Sequence, residues 1–164
     1  MTPMAPEAAI APDLPIALDR LQRDAILPQI DAFLAAVADP AARAPYEALR
    51  AAVARQEVPV ELAARLGAIA ELALTSGRVR AAFGPGAELA IWSMFQKTPR
   101  GREINSSVGA LNAALAPLAG RPLESVVAAA RGPGAYALTI RAEGVQATLR
   151  FEPAGVRIES LEIG

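Results

Sequence analysis

The sequence predicts an α+β fold: N-terminal helices packed on a C-terminal antiparallel, curved β-meander of three to four strands. Three observations lead there. Apolar residues recur at helical spacing, in separate stripes punctuated by prolines, over roughly the first two thirds of the 164 residues. After Gly120 the period changes, and from Tyr136 onward apolar and polar residues alternate. The alternating stretches are separated by short turn signals, Glu143-Gly144 and Pro153-Ala154-Gly155.

The elements follow in order. Residues 1–12 are rich in proline and alanine, lack periodicity and read as a flexible tail. Residues 13–164 read as one α+β domain, helical over 13–119 and a β-meander over 121–163. Asp13 is placed to cap a first helix carrying Leu14, Leu18, Leu21 and Ala25 on one side. Pro28 is expected to interrupt or restart that helix, because proline fits the first turn and not the interior. Ile30, Phe33, Leu34 and Val37 continue the stripe, and Asp39-Pro40 begins a new helix with Ala42, Tyr46, Leu49 and Val53. Pro59 opens another, with Leu62, Leu66, Ile69 and Ala73 on one face, and Thr75-Ser76-Gly77 stops it. Gly84-Pro85-Gly86 reads as a turn before a short helix, 87–97, that is apolar nearly all round and so belongs in the core. Lys97 to Arg102 reads as a basic turn. The strongest helical stripe follows, Ile104, Val108, Leu111, Leu115 and Leu118, ended by Pro117 and Gly120.

Residues 123–131 fit helix and strand equally well. The next two strands are better determined. A two-residue loop at Glu143-Gly144 pairs Ala142 with Val145, Ile140 with Ala147, Leu138 with Leu149 and Tyr136 with Phe151. Every large apolar pair then falls on one face, which is what a one-sided sheet needs. In the last strand Val156 and Ile158 are in one phase, Leu161 and Ile163 in the other. A β-bulge at Glu159-Ser160 restores the common face.

Composition excludes several chemistries. The chain has no histidine and no cysteine, which removes disulfides, thiolate nucleophiles, His-based acid–base catalysis and the usual zinc ligands. No catalytic residue, metal site or cofactor is expected. Met1 to Pro15 does not read as a signal peptide, and no apolar run is long enough for a membrane span, so cytoplasmic residence is expected. Net charge is −1, unevenly spread: residues 1–39 carry six acids and two bases, residues 78–102 five bases and one acid. The acidic front and basic middle are suited to attract each other, within a chain or between subunits.

The order from the last helix to the meander, with "LESVVAAARG", "YALTIRA", "VQATLRFEP" and "VRIESLEIG", resembles the cone-shaped α+β superfamily of nuclear transport factor two and ketosteroid isomerase. The likeness covers residues 104–163, and the closing pattern is similar to bacterial members of uncharacterised function. The resemblance implies that "LESVVAAARG" is a fourth strand. Members with isomerase activity use a tyrosine and aspartates lining the cone. Here every aspartate lies at or before residue 39, so no catalytic residue carries over.

Candidate sites are few. Arg78, Arg80, Lys97, Arg100 and Arg102 form the basic stretch, which would suit phosphate, an acidic partner or a nucleic-acid backbone. A solvated loop is the plainer reading, and without interleaved aromatic residues nucleic acid is not the expected partner. Trp92 and Phe95 would line a pocket for a small apolar ligand, or simply fill the core. Tyr136 reads as core with its hydroxyl at a rim, or as the polar group at the mouth of a cone, and Asn112 as a mid-helix amide that needs a partner if buried. Glu103 and Glu124 read as surface carboxylates. The expectation is a non-enzymatic interaction module, self-associating as a homodimer through the sheet face or the 78–102 region. A pocket protein or enzyme using an apolar cone is the alternative, and association with nucleic acid or phosphate through residues 97–102 a second one.

Overall fold

Helical periodicity becomes helix and alternation becomes sheet. The computed structural model, which describes residues 14–153 and 155–164, contains five α-helices followed by a four-stranded antiparallel sheet that does not close into a barrel. The expected tail, 1–12, and the expected cap at Asp13 lie outside the described residues. The chain groups into two compact units, one ending at Arg100 and the other spanning Gly101–Gly164. The boundary falls inside the last helix, earlier than the helix-to-strand transition near residue 120.

The first unit begins with a short bridge: β1 (Ile16–Ala17) pairs antiparallel with β2 (Glu57–Val58). Helix α1 (Arg20–Ala36) starts later than its apolar stripe suggests. Its cap is Asp19, whose carboxylate accepts from the Gln22 amide while the Gln22 side chain accepts from the Asp19 amide, a capping box. Leu14 to Leu18 therefore belongs to the bridge and not to the helix. Pro28 sits inside α1 without ending it. An interior proline costs about 3 kcal/mol. Ile26 and Ile30 on either side are fully buried, and burying such a side chain is worth roughly 1.5–3 kcal/mol each, enough to offset the cost.

Helix α2 (Pro40–Ala54) is capped by Asp39, as its Asp-Pro start predicts. Arg50 on α2 donates to Asp31 on α1 at 2.6 Å, and the Asp31 carboxylate raises the guanidinium above its ordinary value, by hydrogen bonding first and charge second. Helix α3 (Val60–Thr75) ends at the predicted stop. Helix α4 (Arg78–Phe95) contains a break at Gly84, whose φ of 82° and ψ of 175° only glycine adopts without strain, and Pro85 restarts the helix there. The core of this unit is Ile26, Ile30, Leu49, Val53, Leu66, Ile91 and Met94, all fully buried. Gly67 on α3 lets Thr98 approach: a Cβ there would lie 3.1 Å from the threonine oxygen.

Helix α5 (Pro99–Leu115) starts four residues earlier than expected, so Arg100 and Arg102 are in its first turn and not in a loop. Two cations at a helix N-terminus oppose the helix dipole, which is why a sequence reading starts the helix later. Pro99 at the first position compensates. A 3₁₀ turn, Ala116–Leu118, closes it.

The sheet is a meander in the order β3 (Leu123–Gly132), β4 (Ala135–Ala142), β5 (Val145–Glu152), β6 (Gly155–Ile163). The ambiguous 123–131 segment is strand. The β4–β5 register is the derived one at all four pairs, Ala142 with Val145 through Tyr136 with Phe151. Gly144 in the turn has a φ of 69°, which the two-residue loop requires. In β6, Thr148 pairs with Ser160 and Leu149 with Ile158, leaving Glu159 as the extra residue of the bulge.

Candidate functional site

The registers sort the sheet into two faces. Four cross-strand rows lie on one of them: Leu123, Ala142, Val145 and Ile163; Val126, Ile140, Ala147 and Leu161; Ala128, Leu138, Leu149 and Ile158; Ala130, Tyr136, Phe151 and Val156. None carries a charge. The opposite face holds Thr139, Arg141, Gln146, Thr148, Arg150, Arg157 and Glu162. There Arg150 lies 2.7 Å from Glu152 and 3.5 Å from Glu159, and Arg157 lies 3.6 Å from Glu152. This is a solvated ion network, worth little to stability pair by pair.

The apolar face is covered unevenly. Ala142, Val145, Ala147 and Leu149, on the two middle strands, are buried. Cover fails toward β3, where Leu123 and Val126 are 63 and 51% exposed; Val127, on the opposite face, is 58% exposed, and every residue of the strand but Ser125 is exposed. Tyr136, beside Ala130 in the adjoining strand, is 56% exposed. β3 is also an edge: among the described residues it pairs only with β4, so its outer amides and carbonyls have no ladder partner. No charge interrupts it from Ser125 to Ala130; Glu124 and Arg131 stand at its two ends, each at a register shift. The other edge, β6, carries Arg157, Glu159 and Glu162 and a bulge, the devices by which edge strands avoid unwanted pairing. Charge and irregularity recur along β6 but are confined to the two ends of β3.

The basic stretch is not a cluster. Arg78 and Arg80 are in the first turn of α4 and Lys97 is beyond its last, with the break at Gly84 and several helical turns between them. Arg80 faces Glu88 at 3.6 Å. Lys97 donates to the Ala17 carbonyl at 2.9 Å and to Gln22 Oε1 at 3.1 Å, and Gln22 in turn donates to Ser93. The lysine thus ties the end of α4 to the β1–α1 corner. Arg100 and Arg102 on α5 also have interaction partners.

The pocket candidates do not converge either. Phe95 is buried; its ring centre lies 5.8 Å from that of Trp92. Trp92 is 41% exposed and not central, because Ile91, Met94 and Phe95 turn into the core while Leu89 and Trp92 fall on the outer flank. Asn112 is exposed on α5 and needs no internal partner, and Tyr136 is at the surface rather than in the core. A cavity of about 210 Å³ lies between α5 and β6, lined by Ser107, Ala110, Leu111, Val156, Arg157 and Ile158, and a wider, more open one of about 340 Å³ lies at the β4–β5 turn beside Glu124, Arg141, Gln146 and Glu162; neither is lined by any of these four. Among the described residues no group of three or more acids could hold a metal ion, and no helix is long and apolar enough to cross a membrane.

No protein-family model matches the chain, and neither does any curated protein or solved structure. The residues missed by the sequence reading are those of β3. Their signal is six consecutive uncharged residues between Glu124 and Arg131, which has meaning only once the segment is known to be an edge strand.

Proposed function

We propose that this protein is a non-enzymatic interaction module that binds a polypeptide partner along β3. One observation carries the reading: the edge strand β3 is exposed and uncharged over its six central residues, Ser125 to Ala130, whereas charges at Arg157, Glu159 and Glu162 recur along β6. An open apolar edge supplies main-chain hydrogen bonds for affinity and side-chain contacts for selectivity. The resemblance to the cone-shaped superfamily enters as part of this reading, with α5 and the meander as a scaffold and no catalytic group assigned.

The alternative, a small apolar ligand, is favoured by the cavity between α5 and β6. Its 210 Å³ falls below the roughly 300 Å³ at which ligand pockets usually begin, and the hollow of about 340 Å³ at the β4–β5 turn is lined by the charged and polar side chains of Glu124, Arg141, Gln146 and Glu162, which do not suit an apolar ligand. A photo-crosslinking residue at Ala129, with a control at Glu162 on β6, tests the reading in cells. Polypeptide adducts from position 129 and none from 162 are expected. Absence of adducts at 129, with a small molecule retained in native mass spectra, would transfer the function to the cavity.

A further inference from the structure

We propose that the hollow at the β4–β5 turn binds a small aliphatic zwitterion, with a carboxylate and a protonated amine on one short chain, the class to which free amino acids belong. Its occupancy does not depend on a polypeptide bound along β3. The hollow measures about 340 Å³, inside the range of roughly 300–1,000 Å³ usual for small-ligand sites. Arg141, Glu124 and Glu162 line it, so one guanidinium and two carboxylates share one concavity.

These charges do not satisfy one another, and that decides the class of ligand. Elsewhere on the polar face of the sheet the charges do pair: Arg150 with Glu152 and Glu159, and Arg157 with Glu152. Among the described residues Arg141, Glu124 and Glu162 make no ion pair, and Arg141 is held instead by Gln146, whose Oε1 accepts from Nε at 2.5 Å. The register accounts for the separation. Ser125, Arg141, Gln146 and Glu162 form one cross-strand row, so Gln146 stands between the arginine and Glu162. Two strand spacings put the backbones of those two residues roughly 10 Å apart. Glu124 is set off from the row by the register shift between Leu123 and Ser125.

With Nε occupied, the two terminal nitrogens of Arg141 remain, and that fork grips a carboxylate with two parallel hydrogen bonds. Glu124 and Glu162 offer acceptors to an ammonium. Ala142, Val145 and Ile163 complete the lining and give the methylenes between the two charges an apolar wall. A simple anion would leave both carboxylates unmatched, and a simple cation would leave the guanidinium unmatched. A zwitterion meets both signs at once.

Titration of the full-length chain with the ω-amino acids from glycine to ε-aminocaproate tests this, followed by the amide NMR signals of Gly144, Val145 and Gln146. Low ionic strength is needed, because salt screens exposed charges. Butyrate and butylamine are the controls: each matches γ-aminobutyrate in carbon number but carries one charge. The best-fitting amino acid should give saturable shifts with a dissociation constant on the order of 1 mM, and both controls should bind about tenfold more weakly or worse. Arg141→Met, at an exposed position, should melt close to the natural chain and bind the amino acid about tenfold more weakly, as weakly as butylamine. Three results would each overturn the proposal: no saturable shift with any of the amino acids, a control that binds as tightly as they do, or affinity unchanged in Arg141→Met.

Discussion

Lys97 is the chain's single lysine, and its ammonium serves the fold. Its acceptors are a carbonyl and an amide oxygen contributed by residues 17 and 22, far away in sequence, which is why the local pattern of five basic residues suggested an anion site instead. Lys97→Met keeps the aliphatic stem and removes two charge-assisted bonds. The Gln22 side chain, in a buried residue, then loses one of its partners. With the lysine itself exposed, the loss should be about 1 kcal/mol, read as a lower urea midpoint at unchanged slope. Arg78→Met, at an exposed position on the same helix, should stay within about 0.5 kcal/mol of the natural chain. Equal effects from both would mean that the Lys97 bonds contribute nothing. Trp92 teaches a related lesson: an all-round apolar helix is not all-round buried, and the sequence cannot say which flank its neighbours leave open.

At the scale of elements, the β4–β5 hairpin was legible because period, turn and pairing agree: one choice of loop puts every large apolar pair on one face. The bulge was legible for the same reason, since only an extra residue near Glu159 lets Val156, Ile158, Leu161 and Ile163 share a face. The helix starts at Asp19 and Pro99 were not, because a two-residue bridge to Val58 and a proline working against two arginines are decided by tertiary contacts. A deletion pair tests the register. Removing Glu159 leaves a strand that alternates without interruption, so Leu161 and Ile163 stay on the apolar face, and the chain should fold with its melting temperature little changed. Removing Thr148 turns Leu149 and Phe151 to the polar face and Arg150 to the apolar one. The buried Leu149 alone is worth roughly 1.5–3 kcal/mol, so the sheet should unfold or lose most of its cooperativity. Equal tolerance of the two deletions in thermal unfolding would contradict the register.

For the whole molecule, the two sheet edges differ in where their charges fall. The proposed surface was not legible as such, because exposure belongs to neither a residue nor a motif: β3 is a binding candidate only because, among the described residues, it ends the sheet and is exposed along nearly all its length. A strand edge propagates pairing when it is uncharged and regular, and stops it when charges or bulges intervene. The charges and bulge on β6 therefore oppose pairing along that edge, as the uncharged run of β3 does not. Replacing Arg157 and Glu162 by valine removes two of the guards, at small cost in stability because the Arg157–Glu152 pair is exposed to solvent. Such a chain has two permissive edges and should grow into open, concentration-dependent assemblies, seen as scattering that rises with time, while the natural chain stays at a fixed small size. Adding Ala129→Lys to the same variant places a charge on the exposed β3 edge and should abolish that growth, because a filament needs both edges of every subunit. Growth that persists with Lys at 129 would mean that β6 edges associate by some route other than alternating edge pairing, and that the charges on β6 guard against something else.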